Sequence, residues 1–198
     1  GAASMFNAVR DGRKETLDGV ATIADGIAVK TPGDLTFELC SRYVDEIVTV
    51  TDDEISTAIL TLIEQQKLIT EGAGAVSVAA VLFDKIPVEG KNVVCLLSGG
   101  NIDVTILSRV ISRGLLKSGR SADIIIELSD KPGQLSGVSK IVADLGGNVV
   151  AVYHDRADLD MDINACFLRL VLETRDHAHV EEIKRALTAA GYKLAARA

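Results

Sequence analysis

From Ala122 onward the chain follows a plan with few three-dimensional solutions: strand, helix, two strands, helix, strand. Asp123 to Leu128 reads as a strand, with three consecutive β-branched isoleucines at its centre. Asp130-Lys131-Pro132-Gly133 is a tight turn, after which Leu135, Val138, Ile141, Val142 and Leu145 recur at helical spacing. Gly146-Gly147-Asn148 ends that helix, and Val149 to Tyr153 forms the second strand. The Asp-rich run from Asp155 to Asp162 is a solvated hairpin loop before a third strand, Ile163 to Leu172. Val180, Ile183, Leu187 and Ala190 mark a second helix, and Tyr192 to Ala195 a last strand. The order is βαββαβ, the ferredoxin-like split unit.

Residues 1–115 follow a different, α/β plan. Met5 to Val9 is a short helical piece closed by Asp11-Gly12, and a second helix covers 34–43. Asp25-Gly26 opens a turn, and Glu46 to Val50 reads as a strand. Thr51-Asp52-Asp53-Glu54 is a capping box, followed by Ile55, Ala58, Ile59, Leu62 and Ile63 on one helical face. Glu71 starts another helix, so apolar that burial between other elements is expected. Val93-Val94-Cys95-Leu96-Leu97 reads as a strand buried on both faces. It stops at Ser98-Gly99-Gly100-Asn101, where open α/β sheets place their ligands, and a helix over 103–113 follows. Arg113 to Ala122 lacks periodicity. We therefore place a linker at 116–121, between a first domain at 1–115 and a second at 122–198.

The net charge of −7 disfavours nucleic acid and anionic membrane as partners. No apolar run approaches the roughly 20 residues of a membrane span. Cys40, Cys95 and Cys166 are scattered and fit reduced, mostly buried thiols of a cytoplasmic protein. His154, His177 and His179 form no metal motif, so no metal is expected, and His177 and His179 fit a solvated helix start. The chain opens Gly1-Ala2-Ala3-Ser4-Met5 without an initiator methionine and reads as a piece of a longer protein.

Three ordered segments carry a resemblance. Ile23-Ala24-Asp25-Gly26-Ile27-Ala28-Val29, Thr70-Glu71-Gly72-Ala73-Gly74-Ala75 and Leu97-Ser98-Gly99-Gly100-Asn101-Ile102-Asp103 resemble the second half of threonine ammonia-lyases. These are pyridoxal 5'-phosphate enzymes of fold type II, relatives of serine racemase. Residues 122–198, with Leu128-Ser129-Asp130-Lys131-Pro132-Gly133-Gln134, resemble an ACT domain. The resemblance implies a lyase that eliminates the β-hydroxyl of threonine and releases 2-oxobutanoate and ammonia, joined to an amino-acid-sensing domain.

It also implies what each residue does. Ser98 faces the pyridine nitrogen of the cofactor, and Gly99 and Gly100 let the backbone pass close to it. Glu71 lies near the ring or else stabilises its own helix N-terminus, and Asp25 and Gly26 shape the pocket wall or simply form a turn. The family's Schiff-base lysine sits in a Ser-x-Lys-x-Arg-Gly context near the start of the catalytic domain. None of the ten lysines here has that context, so the chain alone is expected to hold no cofactor and to be inactive. Asn101 matches a nucleotide-binding position of single-domain relatives, a role not expected beside an ACT domain.

In ACT domains a small amino acid binds where two copies meet. Here that implies an effector on Asp130, Gly133, Gln134 and Leu135, with Asn148 taking its polar groups, in a dimer or tetramer. The other reading of the whole chain is a non-catalytic module that binds an amino acid and oligomerises.

Overall fold

The computed structural model describes residues 1–155 and 165–195. The chain divides into two compact units, Gly1–Ile111 and Ser112–Ala198. Among the described residues no helix is long and apolar enough to cross a membrane.

The first unit is built from helices α1 (Ser4–Asp11), α2 (Asp34–Tyr43), α3 (Asp52–Thr61) and α4 (Gly72–Leu82) and the start of α5 (Val104–Lys117). A 3₁₀ turn spans Asp25–Ile27, and α3 continues as a π-helical turn over Leu62–Gln66. The capping box forms as the sequence predicts. The Glu54 N–H donates to Thr51 Oγ1 (3.3 Å) and the Thr51 N–H donates to Glu54 Oε2 (2.7 Å). Asp103 caps α5 in a similar way, accepting from the Thr105 N–H at 2.7 Å. These backbone bonds hold its carboxyl below the usual carboxylate range. The core is mostly small: Ala24, Ala58, Ala73, Ala75 and Ala79 pack with Ile55, Ile59 and Val110.

Two expected strands do not form. Glu46–Val50 and Val93–Leu97 are irregular, and the latter is far from buried, with Val94 95% and Leu96 76% exposed. A strand exists through its neighbours. The sheet that the described residues form lies wholly in the second unit, so nothing there pairs with either run. The segment Val93–Gly100 instead runs beside α4, where Ser77 Oγ donates to the Leu96 carbonyl at 3.1 Å. The apolar helix α4 is buried through its first half and exposed at Leu82.

In the second unit the observed order is β1 (Ser121–Ser129), α6 (Gln134–Asp144), β2 (Asn148–Asp155), β3 (Ala165–Glu173), α7 (His177–Ala189) and β4 (Lys193–Ala195). The strands form one antiparallel sheet in the order β2-β3-β1-β4. Period-2 alternation puts Ile124, Ile126 and Leu128 of β1 and Cys166, Leu168, Leu170 and Leu172 of β3 on one face. There they pack against Val138 and Val142 of α6 and Ile183 and Leu187 of α7. On the other face Arg169 pairs with Asp123 at 2.8 Å and lies over the Tyr153 ring, its centroid 5.3 Å away.

Three details differ from the sequence reading. The segment read as linker is helical as far as Lys117. His179 is not solvated but 2% exposed, fixed by two hydrogen bonds. The Arg175 N–H donates to its Nδ1 at 3.1 Å, so the ring proton sits on Nε2, which donates to the Leu145 carbonyl at 3.0 Å. Of the cysteines, Cys166 is buried while Cys40 and Cys95 are half-buried. Beyond Asp155, the Asp-rich run and the start of the expected third strand lie outside the described residues.

Candidate functional site

In the first unit the three glycine-bearing segments converge. The Gly99 carbonyl accepts two hydrogen bonds from the segment leading into α4: the Glu71 N–H at 3.1 Å and Thr70 Oγ1 at 2.7 Å. Thr70 is 2% exposed, a buried hydroxyl whose bond pins the Ser98-Gly99-Gly100 turn to the helix start. Sequence reasoning misses this role, because a threonine before an acidic residue looks like any polar loop residue.

Glu71 occupies the N-cap position of α4, yet its side chain makes no capping hydrogen bond. Its carboxylate lies against glycines of the other two segments instead. A Cβ on Gly99 would stand 2.6 Å from Glu71 Oε1, and one on Gly26 would stand 3.3 Å from the same oxygen. A side chain on Gly99 would therefore displace the carboxylate. Asp25 turns the preceding 3₁₀ segment by accepting from the Gly26 N–H at 2.8 Å. Ser98 and Gly100 are exposed beside this junction, and the Ser98 hydroxyl has no partner among the described residues. Asn101 is exposed one residue further on.

The arrangement can present a neutral hydroxyl, a carboxylate and bare glycine backbone to one ligand. A separate pocket of about 610 Å³ in the same unit has apolar walls, including Met5, Phe6, Ile55 and Val76. None of its lining side chains is titratable.

In the second unit the turn after β1 opens a pocket of about 300 Å³. Asp130, Gly133, Gln134 and Leu135 line it, together with His154 and Cys166. Gly133 holds φ at +91°, the left-handed region that disfavours any side chain, and it precedes α6 without a side-chain cap. Asn148 does not join this turn. It lies opposite Glu173, which lies opposite Ser121, at the far end of β1. At about 3.3 Å per residue that separates it from the turn by roughly 25 Å within one chain. Its amide instead donates to Glu173 Oε2 at 2.8 Å.

Two L-threonine ammonia-lyases are similar to this chain over nearly its whole length. The Thermotoga maritima protein is 52% identical over 191 residues, 96% of this chain and 47% of that protein. The Geobacter sulfurreducens protein is 39% identical over 191 residues, 96% of this chain and 48% of that protein. The chain thus spans about half the length of the curated relatives it matches. Among solved structures, the processed form of threonine deaminase isoform 2 from Solanum lycopersicum matches with a TM-score of 0.52 and 37% identity, over 59% of this chain and 32% of that one. Residues 1–99, which hold all of the Asp25, Glu71 and Gly99 junction, match the family model of pyridoxal-phosphate dependent enzymes. The chain belongs to the family of pyridoxal-phosphate dependent enzymes.

Proposed function

We propose that the chain forms part of a threonine ammonia-lyase, with Ser98, Gly99 and Glu71 on the cofactor side of its active site. The observation that carries this is the junction itself. Three segments far apart in the chain bring a carboxylate and bare glycine backbone beside an exposed hydroxyl, which suits a flat heteroaromatic ring. Pyridoxal phosphate, when bound, supplies an electron-withdrawing ring that acidifies the substrate's α-proton and lets the β-hydroxyl leave. Ser98 offers the ring nitrogen a neutral hydrogen bond rather than a charge. Gly99 and Gly100 keep side chains out of the ring's path, and Thr70 holds their backbone in place. The exposed Val93–Leu97 run supports the same reading, because in the whole protein a neighbouring strand would cover it.

In the full-length enzyme, Ser98→Ala should lower turnover about fivefold, the worth of one hydrogen bond of about 1 kcal/mol, with the fold unchanged. Unchanged kinetics and cofactor affinity would remove Ser98 from the site. The present chain should not deaminate threonine, and borohydride should fix no pyridoxyl group on any of its ten lysines. A modified lysine would overturn that reading.

For the second unit we infer an ACT domain that senses a small amino acid in a self-associated, cytoplasmic protein. Its βαββαβ order and β2-β3-β1-β4 sheet support this, as does the turn pocket. Because Asn148 lies at the opposite end of its own sheet, an effector held by both it and the Gly133 turn would take Asn148 from a second copy. Calorimetric titration of the protein with isoleucine, valine, threonine and serine tests the reading, with Asn148→Ala expected to weaken binding. If no amino acid binds at millimolar concentration and the protein stays monomeric, the regulatory reading fails.

A further inference from the structure

The turn pocket contains an arrangement that the lyase reading does not use and of which the amino-acid reading uses Asp130 alone. Asp130 follows β1, His154 is the penultimate residue of β2, and Cys166 is the second residue of β3. Sequence spacing hides their meeting, but the sheet register explains it. Cys166 lies opposite Leu128 on β1, and His154 lies opposite Leu168 on β3. Residues two apart on a strand share a face, so His154 and Cys166 are diagonal neighbours on the helix-covered face. Asp130, two residues past Leu128, adds a carboxylate at the same end of the sheet.

His154 Nε2 and Cys166 Sγ are 3.0 Å apart, and the ligating atoms of all three residues lie within 4.8 Å of one another. Cys166 is 1% exposed, whereas Asp130 and His154 are open to solvent at the pocket mouth.

We propose that Asp130, His154 and Cys166 form a divalent metal site, with zinc the ion their donors suit best. A thiolate, an imidazole and a carboxylate are the donor types zinc takes in four-coordinate sites. Zinc at about 2.3 Å from sulfur and about 2.0 Å from nitrogen sets neighbouring donors roughly 3.5 Å apart. The observed Sγ–Nε2 separation of 3.0 Å therefore has to open by about half an ångström. Binding forms the metal–sulfur bond and breaks the Cys166 S–H bond, with the proton going to solvent. Three protein ligands leave a fourth position for water or a small anion in the pocket. The ion would tie the ends of β2 and β3 to the turn before α6, ordering the side of the pocket that holds Asp130. The inference does not depend on an amino-acid effector, since all three ligands belong to this chain.

Chelator-stripped protein titrated with Co²⁺ tests the site. One equivalent should bind with a thiolate-to-cobalt charge-transfer band in the near ultraviolet, and zinc should displace it. Cys166→Ser should abolish the band. His154→Ala and Asp130→Asn, both at exposed positions, should each lower affinity tenfold or more, as changes around metal ligands do. Cys95→Ser should leave the band intact. Should no charge-transfer band appear, or should it survive Cys166→Ser, the site is not there. Unchanged affinity in both His154→Ala and Asp130→Asn would likewise overturn the proposal, even if Cys166→Ser proved unfoldable.

Discussion

The two units solve the same burial problem with different means. The second closes a four-stranded sheet over large side chains, with Ile126, Leu168, Leu170, Leu172, Ile183 and Leu187 fully buried. The first packs helices around alanines and leaves long apolar residues such as Val94, Leu96 and Val104 in solvent. Both are rich in apolar sequence, so composition does not separate them. What separates them is whether each apolar stretch finds its partners within the described chain. A β-branched run between two partner strands becomes a core strand, while Val93–Leu97, equally apolar, stays irregular.

The sharpest test of this contrast is a pair of truncations. Leu170→Ala, at the centre of the sheet, should destabilise the second unit by about 2–5 kcal/mol in urea unfolding. Leu96→Ala in the first unit should cost less than about 0.5 kcal/mol, since its side chain is already hydrated. Equal costs would break the comparison.

His179→Ala probes the second unit at a polar point of its core. It strips the Arg175 N–H and the Leu145 carbonyl of their partner, and each group left bare costs about 1–3 kcal/mol. A loss of about 2–6 kcal/mol in thermal or urea unfolding is expected, with His179→Gln recovering part of it.

Within the first unit, Gly74→Ala should cost about 1–3 kcal/mol, because the new Cβ would press on Thr70 Oγ1 and on the Gly99 backbone, 2.8 Å from its carbonyl oxygen. Gly99→Ala should cost less than Gly74→Ala, since the atoms it meets end a movable Glu71 side chain. A reversed order would mean that the Glu71 carboxylate, and not the Thr70–Gly99 bond, fixes the junction.

The smallest effect is on the acid limb. A hydrogen bond from Lys85 at 2.8 Å, with the Thr51 N–H, holds the Glu54 carboxyl below its usual range. A lowered carboxyl contributes stability above its unfolded pKa of about 4.3 and loses it as pH falls through the lower folded value. Helicity of α3 should therefore fall below about pH 4.3, and Glu54→Gln should flatten that limb in circular dichroism.

Helices were legible because their signals are local. The Thr51–Glu54 capping box, the spacing of Val138 and Val142, and the Asp11-Gly12 stop act within one or two turns. The βαββαβ order was legible for a related reason, since each segment's period shows in its own residues and turn chemistry joins them. The strands expected at 46–50 and 93–97 failed because a strand's pattern states only what it would do beside a neighbour.

Residue order alone was enough for the helices, the succession of elements in the second unit and the three glycine segments that match a known enzyme family. It took packing in three dimensions to lean Glu71 on Gly26 and Gly99 rather than on its own helix start. Packing also separated Asn148 from the Gly133 turn and brought Asp130, His154 and Cys166 to one sheet end. The reason is physical: periodicity and capping act over a few residues, whereas register and backbone approach arise between segments tens of residues apart.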